Sequence, residues 1–267
     1  MIVTAESVWA CVGRIRAAAP LVHNITNYVV MNTTAIALLA LGASPVMSHA
    51  EEEVRDMAAL AGALVINLGT ISRPWVRSAF LAAGAAREKG IPVVFDPVGA
   101  GATAYRTNTF RDLIREFPPA IIRGNASEIL ALTTAASRTK GVDSTESSDR
   151  ALDAARLLNG ETGAAVCVSG ETDYVIQGPR LIRVCNGHPM MPRVTGLGCT
   201  ASALCGAFAA VEPDTAGATA AAMAVLGMAG ETAAREAPGP GTLQYRIIDA
   251  LYGIGETDIR ELLKVEE

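Results

Sequence analysis

Ala63-Leu64-Val65-Ile66-Asn67 holds the key to the architecture: four apolar residues in unbroken succession, closed by an amide. A strand with one wet face would alternate apolar and polar residues. A continuous apolar run fits a strand buried on both faces, as in a parallel sheet covered by helices. Similar short runs recur on either side, at 21–23, 45–47, 93–96, 120–123, 164–169 and 173–177. Helical patterns lie between them, at 28–41, 51–60, 74–89, 108–117, 127–132 and 150–158, and from Gly198 onward the chain reads as almost wholly helical. Alternating strands and helices predict an α/β sandwich: a mostly parallel central sheet with helices on both faces. The Ser/Thr-rich stretch 133–149 reads as a surface loop. With no internal repeat and no linker, residues 1–267 are expected to form one domain.

Composition narrows the chemistry. Half of the residues are hydrophobic, 18% are charged and only 4% are aromatic, so small side chains must pack elements closely. The net charge of −5 and the lack of any Lys/Arg run argue against a nucleic-acid partner. An anionic ligand would need local devices, such as backbone N–H groups and one or two basic side chains. Five cysteines without a C-x-x-C pair, and three scattered histidines, argue against zinc and a disulfide framework; reduced thiols in the cytoplasm are the plain expectation. Sequons at Asn24, Asn32 and Asn125 carry no weight without a secretory signal. The uncharged stretches 194–211 and 215–230 are long enough for a membrane hairpin. Their Ala, Gly, Ser and Thr content favours two buried helices, and no membrane partner is expected.

Ligands of open parallel sheets gather at the carboxyl ends of strands. That rule marks Met47, Asn67, Asp96, Arg123 and Ser169. The strongest local signal comes later, in Val194-Thr195-Gly196-Leu197-Gly198-Cys199-Thr200, which runs into a small, uncharged helix. Two glycines permit a tight turn with no Cβ in the way of a ligand. The helix start adds unpaired N–H groups and partial positive charge, an anion site whose usual guest is phosphate. The Cys199 thiol sits in the first turn, which suggests phosphoryl transfer beyond mere binding.

Each remaining candidate has two readings. Asp96, in Phe95-Asp96-Pro97-Val98-Gly99, could orient Mg²⁺ or cap the next turn. Asn125 and Glu128 form a capping-box pattern, while Arg123 before them suits a phosphate. Ser169 could bond a phosphate or be a turn hydroxyl. Asn24 and Asn27 could cap the following helix or touch a ligand. Gly99–Ala104 and Gly196–Ala201 both match G-x-G-x-x-A, the dinucleotide fingerprint. The first does not lead into an apolar helix, and the second lacks an apolar strand just before it. A hydrolase nucleophile at Cys199 would have a thiol pKa lowered by the helix start, but no histidine stands in a recognisable partner signature.

Taken together, the segments resemble the hydroxyethylthiazole kinases of thiamine salvage, in the ribokinase-like group. The likeness runs through Leu21–Asn27, Gly42–Met47, Asn67–Thr70, Asp96–Thr103, Arg123–Glu128, Lys140–Ser144 and Gly196–Cys199, in the order expected along nearly the whole chain. It implies ATP-dependent phosphorylation of the primary alcohol of 5-(2-hydroxyethyl)-4-methylthiazole, with Mg²⁺, in a homotrimer whose active sites lie between subunits. It implies thiazole contacts at Met47 and Gly196, with Asn24 beside them. ATP contacts fall at Arg123 and Ser169, with Thr195 on the same side. The wider group's pattern puts Asp96 and Glu128 near the metal. Cys199 stands where that group usually has Asp after Gly-x-Gly, as is typical of the thiazole kinases, and joins Gly198 as a catalytic candidate. Leu197 replaces a common Thr, leaving the backbone N–H intact, and Ser169 replaces a common Thr with the hydroxyl kept. Two other classes fit the same anion logic: another ribokinase-like kinase, for a small alcohol or hydroxymethylpyrimidine, and a non-catalytic nucleotide-binding regulator.

Overall fold

The computed structural model describes residues 1–133 and 144–267, with the backbone alone for 144–148. The expected parallel core is present. Strands β1 (Leu21–Ile25), β2 (Ser44–Val46), β3 (Ala63–Asn67), β4 (Val93–Asp96), β5 (Ile121–Asn125) and β6 (Ala165–Ser169) pair in parallel, in the order β2-β1-β3-β4-β5-β6. Beyond β6 the sheet turns antiparallel through β7 (Asp173–Gln177), β8 (Arg180–Val184) and β9 (Val265–Glu266). Only Gly170, Glu171 and Thr172 separate β6 from β7, far fewer than the dozen or more residues a parallel crossover needs.

All five residues of β3 are buried, as the apolar run requires. Its side chains alternate between two cores. Leu64 and Ile66 join Phe95 and Ile122 on one face; Val65 joins Val22, Val94 and Ile121 on the other. The first face is covered by α3 (Val54–Leu60), α4 (Arg73–Lys89), α5 (Ala104–Glu116), α6 (Ala126–Leu132) and α7 (Ser144–Thr162). The second is covered by α1 (Ala5–Ala18), α2 (Met31–Leu41), α8 (Leu197–Ala209), α9 (Thr215–Ala234), α10 (Pro240–Gly253) and α11 (Glu256–Leu262).

Local chemistry sets the helix ends. Ser72 Oγ accepts from Trp75 N, Pro74 sits in the first turn of α4, and Gly90 closes the helix in the left-handed region at φ +76. The small residues of α8 and α9 allow close packing. A Cβ on Gly206 of α8 would lie 2.7 Å from Val65 Cγ2 of β3. These two helices occupy the uncharged stretches. Among the described residues no helix is long and apolar enough to cross a membrane.

Some sequence expectations need correction. The stretch 133–149 is not all loop: its end, from Ser144, belongs to α7, while 134–143, with most of the Lys140–Ser144 motif, lie outside the described residues. The helix expected at 108–117 starts earlier, since α5 begins at Ala104 with Thr103 as its cap, though its first turn is polar. Helix α1 was not anticipated, although its buried Val8, Cys11, Val12 and Ile15 repeat at helical spacing. Strand β8 was hidden by Arg180 and Arg183, and the C-terminal run ends in the strand β9.

Candidate active site

The carboxyl ends of the parallel strands carry the polar residues. Asn67 closes β3, Asp96 closes β4, Asn125 closes β5 and Ser169 closes β6. Helix α8 packs against β1, β3, β4 and β5. Gly196 is its N-cap, held at φ +79, and a Cβ there would lie 2.2 Å from Val30 Cγ1, so only glycine fits. Leu197, Gly198 and Cys199 form the first helical residues, whose N–H groups have no helical acceptor.

One chain of side chains links four elements. Asn67 Nδ2 donates to Asp96 Oδ2 at 2.7 Å. Asn27 Nδ2 donates to Asn67 Oδ1 at 3.0 Å and to Cys199 Sγ at 3.5 Å. Gly69 N and Val29 N fix the amides by donating to Asn67 Oδ1 and Asn27 Oδ1. The helix-capping reading of Asn24 and Asn27 is therefore wrong. Asn24 lies within β1 and donates to Val22 O, and α2 has Val30 as its N-cap with no side-chain cap bond.

A second group adjoins the first. Arg123 Nη2 donates to Ser169 Oγ at 2.7 Å, and Ser169 Oγ donates to Gly124 O at 3.2 Å. Arg123 Nε is buried without a partner among the described residues. A Cβ on Gly198 would lie 2.8 Å from Arg123 Nη1, so the guanidinium rests against the start of α8. Ser169 is thus an anchor for the arginine as well as a strand-end hydroxyl.

A third group completes the rim. Asn125 and Glu128 form the expected capping box: Glu128 N donates to Asn125 Oδ1 and Asn125 N to Glu128 Oε2. The other Glu128 oxygen accepts from Gly99 N at 3.0 Å. Both oxygens hold main chain, tying the loop after β4 to the end of β5.

The electrostatics follow from burial. Desolvation pushes the Asp96 carboxyl up to about 6; Arg123 opposes the shift and Glu128 adds to it. Desolvation, then the Asp96 charge, pushes the Cys199 thiol up to about 11, against Asn67, Asn27 and Arg123. The lowered thiol pKa that a hydrolase nucleophile would need is absent, because burial outweighs the helix start. Asp96 does not cap the next turn with its side chain. Its Oδ1 is buried and has no hydrogen-bond partner among the described residues.

That open oxygen bears on metal binding. Among the described residues, no three His, Cys, Asp or Glu side chains are grouped to hold a metal. Mg²⁺ commonly takes one or two carboxylates together with substrate phosphates. A single open carboxylate oxygen at a phosphate site fits that mode.

The structure therefore brings together Cys199, Gly198, Gly196, Arg123, Ser169, Asp96 and Glu128. Three candidates stand apart from these hydrogen bonds among the described residues. Asn24 is buried in β1 with Oδ1 unpartnered, Met47 is half-buried just after β2, and Thr195 is exposed one position before Gly196. Asn67 was marked by the strand-end rule and Asn27 as a cap or a ligand contact, but neither was given a specific role in the site. For Asn67 the strand-end rule gave the signal; for Asn27 local sequence could not choose between cap and ligand contact, since Cys199 is 172 positions away.

A mostly parallel sheet with helices on both faces and an αL glycine turn opening a helix at its carboxyl ends is the frame of this chain, and comparison places it in the ribokinase-like fold. A ribokinase-like superfamily protein from Enterococcus faecalis shares it, with TM-score 0.64 at 13% identity, covering 92% of this chain and 89% of that one. The finer relationship is plain from sequence. The model of the hydroxyethylthiazole kinase family matches residues 12–257, and the chain belongs to that family. The hydroxyethylthiazole kinase of Syntrophus aciditrophicus is 58% identical over 99% of this chain and 98% of its own. The solved structure of a hydroxyethylthiazole kinase protein from Pyrococcus horikoshii superposes with TM-score 0.90, at 44% identity and 98% coverage of both chains.

Proposed function

We propose that this chain transfers the γ-phosphate of ATP to the primary hydroxyl of 5-(2-hydroxyethyl)-4-methylthiazole. The observation that carries the reading is the Gly196 turn. It points the unpaired N–H groups of Leu197, Gly198 and Cys199 into a corner shared with Arg123 and Asp96. Those donors and the Gly196 N–H cradle the γ-phosphate, and Arg123 adds a fixed positive charge. Preorganised donors of this kind typically contribute ~2.7–4 kcal/mol each to the transition state. Ser169 and Thr195 serve the nucleotide. Met47, Gly196 and Asn24 serve the thiazole.

Asp96 would hold Mg²⁺, with Glu128 keeping the loop after β4 in place, and the ion would neutralise charge on the phosphate oxygens. Phosphoryl transfer depends mainly on positioning and electrostatics. Cys199, protonated at neutral pH, therefore holds the alcohol in line, and the alcohol proton leaves late to an oxygen of the transferred phosphate. We further infer a homotrimer with sites between subunits and a cytoplasmic location. Support for the assembly comes from Tyr28 and Val29, large apolar residues exposed next to Asn27, and from Ile36 and Leu39 exposed on α2.

A coupled ADP-release assay tests the reaction. ADP release should require both the thiazole alcohol and Mg²⁺. Turnover only with another alcohol or hydroxymethylpyrimidine would shift the chain to a sister kinase activity; ATP binding without any turnover would make it a regulator.

A further inference from the structure

Arg106 lies in the first turn of α5, away from every candidate discussed so far, yet its guanidinium reaches back to two site loops. Nη1 donates to Leu68 O at 3.0 Å and to Val98 O at 3.2 Å, and Nη2 donates to Gly69 O at 2.8 Å. Leu68 and Gly69 directly follow Asn67; Val98 follows Asp96 by two positions. The loop after β4 is pressed against the same side chain, since a Cβ on Gly99 would lie 3.2 Å from Arg106 Cδ. The next contact is Gly69 N donating to Asn67 Oδ1 at 3.0 Å. That bond sets which end of the Asn67 amide faces Asp96. There is no room for Gly69 to move inward, because a Cβ there would lie 2.7 Å from Asn27 Nδ2. The position of Gly69 thus governs both amides that touch Cys199 and Asp96.

We propose that Arg106 is a positioning residue: it clamps the loops after β3 and β4 so that Asn67 and Asn27 hold Asp96 and Cys199 in register at the phosphate corner. The proposal rests on the kinase reading above. A planar fork can serve three carbonyls at fixed angles; a lysine ammonium is a point charge on a flexible stem and cannot span both loops. Displacements of about 1 Å in reacting groups can lower rates by on the order of 100-fold. The effect should therefore fall on turnover more than on substrate affinity.

The test uses Arg106→Lys, Arg106→Gln, Asn67→Ala and the Asn67→Ala/Arg106→Gln double variant, assayed by ADP release and by amide hydrogen exchange. Both Arg106 variants should lose roughly 10- to 100-fold in kcat, with KM for either substrate within about threefold of the parent. Lysine should not rescue. The double variant should be no slower than Asn67→Ala alone, and exchange at Gly69 and Gly99 should quicken in both Arg106 variants. Full kcat in Arg106→Lys, additive losses in the double variant, or unchanged exchange at both glycines would each overturn the proposal. If Arg106→Gln does not fold, Arg106→Lys carries the same kinetic and exchange tests. An unsubstituted chain that releases no ADP with any alcohol would sink the kinase reading instead, and exchange at Gly69 and Gly99 would still judge the clamp.

Discussion

The two ends of the parallel strands differ sharply. At the carboxyl ends, Asn67, Asp96, Arg123 and Cys199 crowd into one corner, and buried polar atoms such as Asp96 Oδ1 and Arg123 Nε lack partners among the described residues. At the amino ends lies a cavity of about 670 Å³, lined by Pro92, Phe117, Pro119, Ala210 and Pro213 among others. This hollow is bounded mostly by apolar side chains and carries no such unpartnered polar atoms among its lining residues. Unsatisfied buried polar groups are costly, and a fold keeps them where a ligand completes them. Unpaired donors and acceptors, more than cavity size, mark the working end.

The largest effect that would sharpen this contrast comes from Gly198. Its missing Cβ is where Arg123 Nη1 rests, so Gly198→Val must push the guanidinium away and distort the N–H cradle. ADP-release kinetics should show a loss of at least ~100-fold in kcat, the scale of losing an oxyanion-type donor. Cys199→Ala should cost only about tenfold, below the usual range for a general base, because the thiol is protonated before the reaction begins. The reverse ranking would move the weight of catalysis from the cradle to the thiol.

How much of this corner the sequence reveals depends on the range of the contact. Asn67, Asp96 and Ser169 were legible because each closes a strand, and Arg123 because it lies two positions from the end of β5; strand ends in a parallel sheet share one edge. The Asn125–Glu128 box was legible because its partners are three positions apart. Asn27 was left between a cap and a ligand contact because local spacing favours local partners, whereas its amide reaches Asn67 and Cys199 across the fold. Arg106 left no trace, since its partners are carbonyl oxygens that every residue possesses. The rise of the Cys199 pKa was illegible too, because it comes from burial, which spacing does not encode.

A smaller effect concerns stability at the working end. Asp173 opens β7, beside the end of β6, and is buried; desolvation pushes its carboxyl up to about 6, opposed by the Gly170 N–H and Arg123. Unfolded, the group titrates near 3.8. Between those values the folded chain holds a proton that the unfolded chain releases. This contribution to stability is full below about pH 4 and lost as pH rises through about 6. Asp173→Asn keeps an oxygen for Gly170 N–H and removes the charge. Denaturant titrations should show it more stable than the parent by on the order of 2 kcal/mol at pH 7, and nearly equal to it at pH 4. A variant equally stabilised at both pH values would mean that the buried charge is not the cause.

The smallest effect is expected at the opposite end, and it tests the contrast most directly. Ala210 follows α8 and lines the amino-end cavity. Helix α8 runs from the glycine cradle to this cavity, so a disturbance at Ala210 could reach the site only along the helix. Gly206, one turn before it, is wedged against Val65 and Val22 of the sheet, which pins the helix between the two ends. Ala210→Leu adds apolar volume to a space that has room for it. Both kcat and KM should stay within about twofold of the parent, and stability within about 0.5 kcal/mol, as for a substitution clear of core and site. A tenfold fall in kcat with the fold intact would show that the amino-end hollow communicates with the phosphate corner. The division of labour between the two ends would then have to be abandoned.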